Sequence, residues 1–433
     1  RKIPSALRGA VWKLFLGPFQ GCPLQEETKD DLPNQKVIAA DIRRTLPHLP
    51  RFQDETTRLQ MNNILVQYCK NKAISYKQGM NYILAPFFLV LDSPEDIYNC
   101  FDAFISRFLP NTFVDDEFGS LQCIMSLFKL LLLYHDPELG LHLEKYHMGP
   151  ELYASSWFIT LHANRTPPDL LLHVWDLLFL FNRDALFHYF FALSLLLSQR
   201  DKLLAEGEVT MPETLSKISI ENTEVANQLM SRALDLYRHT TDTFKDRLRL
   251  ISHSDIVVNS PEYDYFLSCA VLETRPEELV SKMCGQRAPH ALPFFVLDCR
   301  DKKQHDTGRF PAGQLFDPAW LTSPVSLDQH LGLIRNSKHF CLVFESGHTP
   351  PDTVRQHCKL LLDNHFKYVS LCSGGFEHCH VIFTQNSEFE LVDHVEDKCY
   401  ECKKKRGGGK RGGGVGLRGF MNRIIGSSSS SSS

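Results

Sequence analysis

The sequence predicts a multidomain protein with an all-α domain over residues 1–250, a small α/β domain over 265–388 and a flexible tail over 389–433. Three observations carry that division. Apolar residues recur at helical spacing through the first part, with no strand pattern among them. After Ser260-Pro261 the texture changes to short, uninterrupted apolar runs bounded by polar or turn residues, the form taken by strands buried on both faces of a parallel sheet. Beyond Tyr400 the composition collapses to Gly, Ser and basic residues, which neither pack nor propagate a helix.

In the first domain Arg8 and Trp12 lie four apart and share one face of a short N-terminal helix, with Leu16 a turn further on. A second helix over 37–45 is stopped by Pro47 and Pro50. Met61, Ile64, Leu65, Tyr68 and Cys69 mark an amphipathic helix, whereas 81–91 is apolar nearly all round and reads as a buried central helix. Ser93-Pro94-Glu95-Asp96 is a helix start, with a capping hydroxyl, Pro at the first position and acids in the first turn. Further helices are expected over 121–134, 153–162, 170–181, 184–198 and 224–236, with 209–220 a loop broken by Pro212. In the second domain, Phe294-Phe295-Val296-Leu297, Phe340-Cys341-Leu342-Val343-Phe344 and Tyr368-Val369-Ser370-Leu371 are the expected strands. Helices over 276–283 and 352–364 alternate with them, which argues an α/β layer arrangement.

Composition excludes several classes. With 43% apolar and 23% charged residues the chain can bury sizeable cores, and a net charge of −4 gives no reason to expect nucleic acid as a partner. The 13 cysteines are odd in number and scattered, which suits reduced thiols in a cytoplasmic protein. The most apolar region, 170–198, is interrupted by His173, Asp176, Arg183 and Asp184, so no run reaches bilayer-spanning length. Arg1-Lys2-Ile3 resembles neither a signal peptide nor a natural start, and a trimmed chain is expected.

The chemistry-bearing stretches lie in the helical domain. In Ile38-x-x-Asp41-x-x-Arg44-Thr45 a carboxylate and a guanidinium share a helical face, so Asp41 can orient Arg44. In Tyr76-Lys77-Gln78-Gly79-Met80-Asn81, Gly79 permits a tight turn and Gln78 offers an amide that donates and accepts at once. Arg8-x-x-x-Trp12, then Ile38-x-x-Asp41-x-x-Arg44, then Tyr76-x-Gln78-Gly79-Met80-Asn81 resemble, in order and spacing, the TBC domain of Rab GTPase-activating proteins. Ser155-Ser156-Trp157-Phe158 and Val174-Trp175-Asp176 resemble that family's downstream signatures.

The resemblance implies activation of a Rab-family small GTPase in trans, by a chain that is not itself a hydrolase. Arg44 would be the arginine finger that neutralises charge on the transferring phosphoryl group, and Gln78 would orient the attacking water. Tyr76, Gly79, Met80 and Asn81 would set Gln78; Arg8, Trp12, Asp41 and Thr45 would support the fingers or contact the GTPase. No cofactor of its own is implied, since GTP and Mg²⁺ would belong to the partner.

In the second domain, Val296-Leu297-Asp298-Cys299-Arg300, Gly308-Arg309-Phe310-Pro311-Ala312-Gly313 and the later Gly374-Gly375-Phe376 resemble a rhodanese-like domain. Active members place a cysteine directly after the central strand, in a loop that cradles an anion. Here that loop is Glu345-Ser346-Gly347, and a carboxylate is no thiolate, so the domain is expected to be inactive. The pairing resembles TBC-plus-rhodanese proteins, which implies an alternative role as a scaffold. Such a scaffold would bind golgins or vesicle coat and tether proteins, peripherally on Golgi, trans-Golgi network or endosomal membranes. Residues 403–425 hold eight basic residues and no acidic one, and Leu417, Phe420, Met421, Ile424 and Ile425 keep helical spacing, a pattern suited to an anionic membrane. Cys399-x-x-Cys402 is half of a zinc site with no second half at ligand spacing, so no metal is expected.

Overall fold

The computed structural model describes residues 3–19, 21, 32, 35–115, 117–180, 186–253, 258–284, 292–347, 350–385 and 389–407. The helical domain begins with α1 (Ser5–Leu16) and α2 (Gln35–Arg44) and continues through the helices Glu55–Lys72, Met80–Val90, Pro94–Phe108 and Gly119–His135. Local signals account for several boundaries. Ser93 caps its helix by accepting from the Asp96 amide, and Asp54 accepts from Thr57 at the start of Glu55–Lys72. Met80–Val90 and Phe187–Ser198 are buried almost all round, as their unbroken apolar sequences require. Trp12, Phe87, Phe104, Trp175 and Phe179 form one aromatic cluster, with ring centroids 4.3–6.0 Å apart in the pairs Phe104–Trp175 and Phe104–Phe179.

Three expectations are corrected. Residues 209–220 contain a helix, Met211–Ser216, because Pro212 falls in its first turn, where a missing N–H costs nothing. The stretch over 153–162 is two short helices, Pro150–Tyr153 and Ser155–Thr160, closed by Leu161 in the left-handed region at φ 46°. The helix Pro261–Ser268 belongs to the helical domain, since Tyr263 and Phe266 join its core, so the α/β unit starts later than 265.

The α/β unit is a five-stranded parallel sheet in the order β1-β5-β4-β2-β3, with β1 Leu272–Thr274, β2 Phe294–Asp298, β3 Gly313–Leu315, β4 His339–Val343 and β5 Val369–Cys372. The three central strands are those the apolar runs announce. Both edges are three-residue strands, too short to leave a periodic signature. Burial on both faces gives two apolar clusters, one against the helix Asp352–Asp363 and one against Pro276–Cys284 and Gly375–Gln385.

The two units are joined by buried polar contacts. Glu278 accepts from the backbone N–H groups of Asp242 and Thr243, both at 2.7 Å, and from the Thr243 hydroxyl at 2.6 Å, so a side chain of the α/β unit caps the helix Asp242–His253. The Tyr134 hydroxyl meets His339 Nδ1 at the start of β4, and the Tyr368 N–H donates to the Tyr134 carbonyl at 2.8 Å.

Residues 389–407 do not form the flexible tail expected from 389 onward. Val392 pairs with Arg309 in an antiparallel bridge, Cys399 is buried, and Tyr400–Gly407 is a helix. Gly and Ser dominate only later, and the remainder of the tail with its amphipathic pattern lies outside the described residues. Among the described residues no helix is long and apolar enough to cross a membrane.

Candidate functional site

Arg44 ends α2, and Gln78 occupies the turn that enters Met80–Val90; both side chains are exposed. Behind them lies a closed, buried network. Arg44 is ion-paired to Asp41, whose side chain is 2% exposed against 63% for Arg44, so the carboxylate is fixed and the guanidinium projects outward. The Tyr76 hydroxyl donates to Asp41 Oδ2 at 2.9 Å and lies 3.2 Å from Asn81 Oδ1. Burial, then the neighbouring Asp41 carboxylate, push the Tyr76 phenol far above its ordinary range, which keeps it a donor. Asn81 Oδ1 also accepts from the Gly79 N–H at 3.2 Å, while Asn81 Nδ2 donates to Thr45 Oγ1 at 2.8 Å. Thr45 in turn donates to the Asp41 carbonyl at 2.8 Å. The structure thus gathers Asp41, Arg44, Thr45, Tyr76, Gly79 and Asn81 around one node, with Gln78 on the turn that the node holds. Met80 contributes packing only, being fully buried at the helix start.

Gly79 is required twice over. Its φ of +116° lies where side-chain-bearing residues are strained, and a Cβ there would sit 2.9 Å from Ile159 Cγ2. The downstream signatures therefore act as supports. Ser155–Thr160 presses Ile159 and Thr160 beneath the Gln78 turn, and the Leu161 carbonyl that follows accepts from the Trp175 indole at 3.0 Å.

Arg8 and Trp12 are not at this node. Arg8 Nε lies 3.1 Å from Asp176 Oδ2, and the Trp12 indole donates to Asp176 Oδ1 at 2.8 Å, which ties α1 to the helix Pro168–Leu180. Burial raises the Asp176 carboxyl above its ordinary range, and the hydrogen bond from Trp12 and the charge of Arg8 oppose that rise. Asp176 is the structural support for Arg8 and Trp12 that sequence reasoning missed as a partner. Its signal is a buried carboxylate in the interior of a helix apolar on nearly every side, whereas Asp169 sits in the first turn.

In the α/β unit, Glu345, Ser346 and Gly347 follow β4 as placed by sequence, with Glu345 exposed. The N–H groups of Phe376 and Glu377, at the start of Gly375–Gln385, donate to the Phe344 and Glu345 carbonyls at 2.7 and 3.0 Å. These bonds fasten the start of that helix to the end of β4. Arg300 is likewise engaged, bidentate on Asp298 at 2.9 and 2.6 Å and stacked on Phe376 with its guanidinium carbon 3.3 Å from the ring centroid. The cavity here, bounded by Arg300, Glu345, Phe376 and Glu401, holds ≈ 10 Å³, about one water.

Arg44 is thus an exposed cation anchored on a buried carboxylate, and Gln78 is an exposed amide on a turn bordered by the same network. Residues 5–204 match the family model of the Rab-GTPase-TBC domain. The chain is 28% identical over 246 residues to the TBC domain-containing protein kinase-like protein of Gallus gallus, covering 55% of this chain and 27% of that protein. To the protein of the same description in Dictyostelium discoideum it is 24% identical over 385 residues, 87% of this chain and 35% of the relative. That match is long enough to run through both folded units. The chain therefore spans about a quarter to a third of the length of these curated relatives. The crystal structure of the Ypt/Rab-GAP domain of Gyp1p is 20% identical, with a TM-score of 0.47 over 54% of this chain and 88% of that one.

Proposed function

We propose, from the premise that the N-terminal helical unit is a TBC domain, that this chain activates GTP hydrolysis by a Rab-family GTPase, with Arg44 and Gln78 inserted beside the partner's nucleotide. Phosphoryl transfer asks for positioning and charge stabilisation rather than covalent participation by the activator. Arg44 answers the charge requirement, and its buried Asp41 anchor limits the conformational entropy lost on insertion. Gln78 answers the positioning requirement, because its amide accepts from a water and donates to a phosphoryl oxygen. The observation that carries the proposal is the single buried network, Asp41–Tyr76–Asn81–Thr45, which anchors Arg44 through Asp41 and holds the Gly79 turn that presents Gln78.

The test is single-turnover GTP hydrolysis across a Rab panel. Wild type should accelerate at least one Rab by about a thousandfold or more, and Arg44→Ala should abolish nearly all of that gain. Gln78→Ala should reduce it strongly without preventing binding. Equal rates for wild type and Arg44→Ala on every Rab would sink the proposal.

A second reading is favoured by Glu345, an exposed carboxylate just after β4 where a thiolate would be needed, which leaves the α/β unit a surface rather than a reaction site. In that reading the α/β unit tethers the protein to golgins or coat factors on Golgi or endosomal vesicles. Arg44→Ala and Gln78→Ala would then leave localisation and cargo capture intact.

A further inference from the structure

We propose that His380, His394, Cys399 and Cys402 bind a zinc ion that clasps residues 389–407 onto the α/β unit. Their ligand atoms all lie within 4.8 Å of one another. His380 Nε2 is 3.2 Å from His394 Nε2, 3.5 Å from Cys399 Sγ and 3.4 Å from Cys402 Sγ, and Cys402 Sγ is 3.5 Å from His394 Nε2. A tetrahedral Cys₂His₂ zinc site, with Zn–S of about 2.3 Å and Zn–N of about 2.0–2.1 Å, places its ligand atoms about 3.3–3.8 Å apart. These four separations fall in or next to that window.

Hydrogen bonding alone does not account for the convergence. An imidazole Nε2 offers either one proton or one lone pair, yet His380 Nε2 has three partners within 3.5 Å. One cation at the centre satisfies all four atoms at once. The two thiols would bind as thiolates, releasing two protons, and the two imidazoles as neutral ligands, so the dication is neutralised within the cluster.

The surroundings are shaped for this convergence. His380 lies on the helix Gly375–Gln385, and the other three ligands come from the segment after it. The Arg309–Val392 bridge, with N–H···O distances of 3.0 and 2.8 Å, brings the chain back two residues before His394. At Gly308 a Cβ would stand 3.0 Å from the His394 ring, so the absence of a side chain there admits the ligand. Lys404 pairs with Glu377 at 3.0 Å and holds the far end of the segment to the same helix. The second half of the site escaped sequence reasoning because His380 and His394 stand fourteen residues apart and meet only through the reversal of the chain.

The consequence is a metal-dependent closure. Cys399, Tyr400 and Glu401 border the small cavity beside Glu345 and Arg300, so the clasp holds the segment across the loop that follows β4.

The test uses the full 433-residue chain, purified without chelators or added metal and then exchanged with zinc. Elemental analysis should find one zinc ion per chain, lost in the Cys399→Ser/Cys402→Ser double variant and retained in Cys284→Ser, which lies outside the cluster. Should the double variant fail to fold, cobalt substitution of the wild type decides, with tetrahedral d–d bands and thiolate charge transfer expected. Zinc at the same stoichiometry in a folded double variant would overturn the proposal. So would wild type that takes up neither metal, or whose thiol count shows Cys399 and Cys402 joined as a disulfide.

Discussion

At the scale of single residues, Gly79 carries the sharpest constraint on the candidate site. Its φ of +116° and the 2.9 Å approach of Ile159 to a would-be Cβ both penalise any side chain. Gly79→Ala should therefore destabilise the protein by about 1–3 kcal/mol in urea denaturation. It should also depress stimulated GTP hydrolysis disproportionately, because relief of the clash rotates the turn that presents Gln78. An Ala variant with full stimulation would show that the turn tolerates the shift. The sequence made this legible, since Gln78-Gly79 before an apolar helix already asks for a permissive backbone. The polar node behind it was only half legible. Asp41 and Arg44 share a helical face, but Tyr76 and Asn81 reach Asp41 and Thr45 across 35 and 36 residues, and no local spacing encodes that.

At the scale of elements, α1 is held by one side chain more than by any other. Trp12 is fully buried, packs edge-on against Phe87 and Phe179 at 5.7 and 5.2 Å, and donates to Asp176. Trp12→Ala removes that packing and weakens the compensation of a buried carboxylate, so a loss of about 3–5 kcal/mol is expected, read as a lower urea midpoint at unchanged slope. Trp12→Phe keeps most of the apolar contact and should cost about 1–3 kcal/mol, the share attributable to the indole hydrogen bond. If the two variants lost equal stability, packing would be a minor part of the anchor. Element types followed from the sequence where periodicity was long, as in Glu55–Lys72 and Pro94–Phe108. They did not follow where the unit was short. The edge strands β1 and β3, the turn-like Met211–Ser216 and the folded-back segment over 389–407 depend on tertiary partners that supply what propensity lacks.

At the scale of the whole molecule, buried histidines make the fold acid-sensitive. Burial lowers His339, where β4 meets Tyr134, to about 3, with Lys282, His239 and Lys245 adding to the effect, and it lowers His162 in the helical domain to about 3 as well. Their ordinary value in the unfolded chain is about 6.5. A group with a depressed folded-state value binds more protons when unfolded, so its stability contribution is complete above about pH 6.5 and is lost as pH falls from there toward 3. Each group accounts for on the order of 4 kcal/mol across that window. The expected outcome is a urea midpoint that holds steady above pH 7 and falls between pH 6.5 and 5, before most carboxylates titrate. His339→Gln keeps a polar side chain opposite Tyr134 and cannot be protonated, so its midpoint should fall less steeply over the same range. A slope identical to wild type would remove the unit junction as a source of acid sensitivity. Because the Glu278 cap and the Tyr134–His339 contact both bridge the two units, acid should loosen the helical domain and the sheet together, in one transition seen alike by helical circular dichroism and by tryptophan fluorescence.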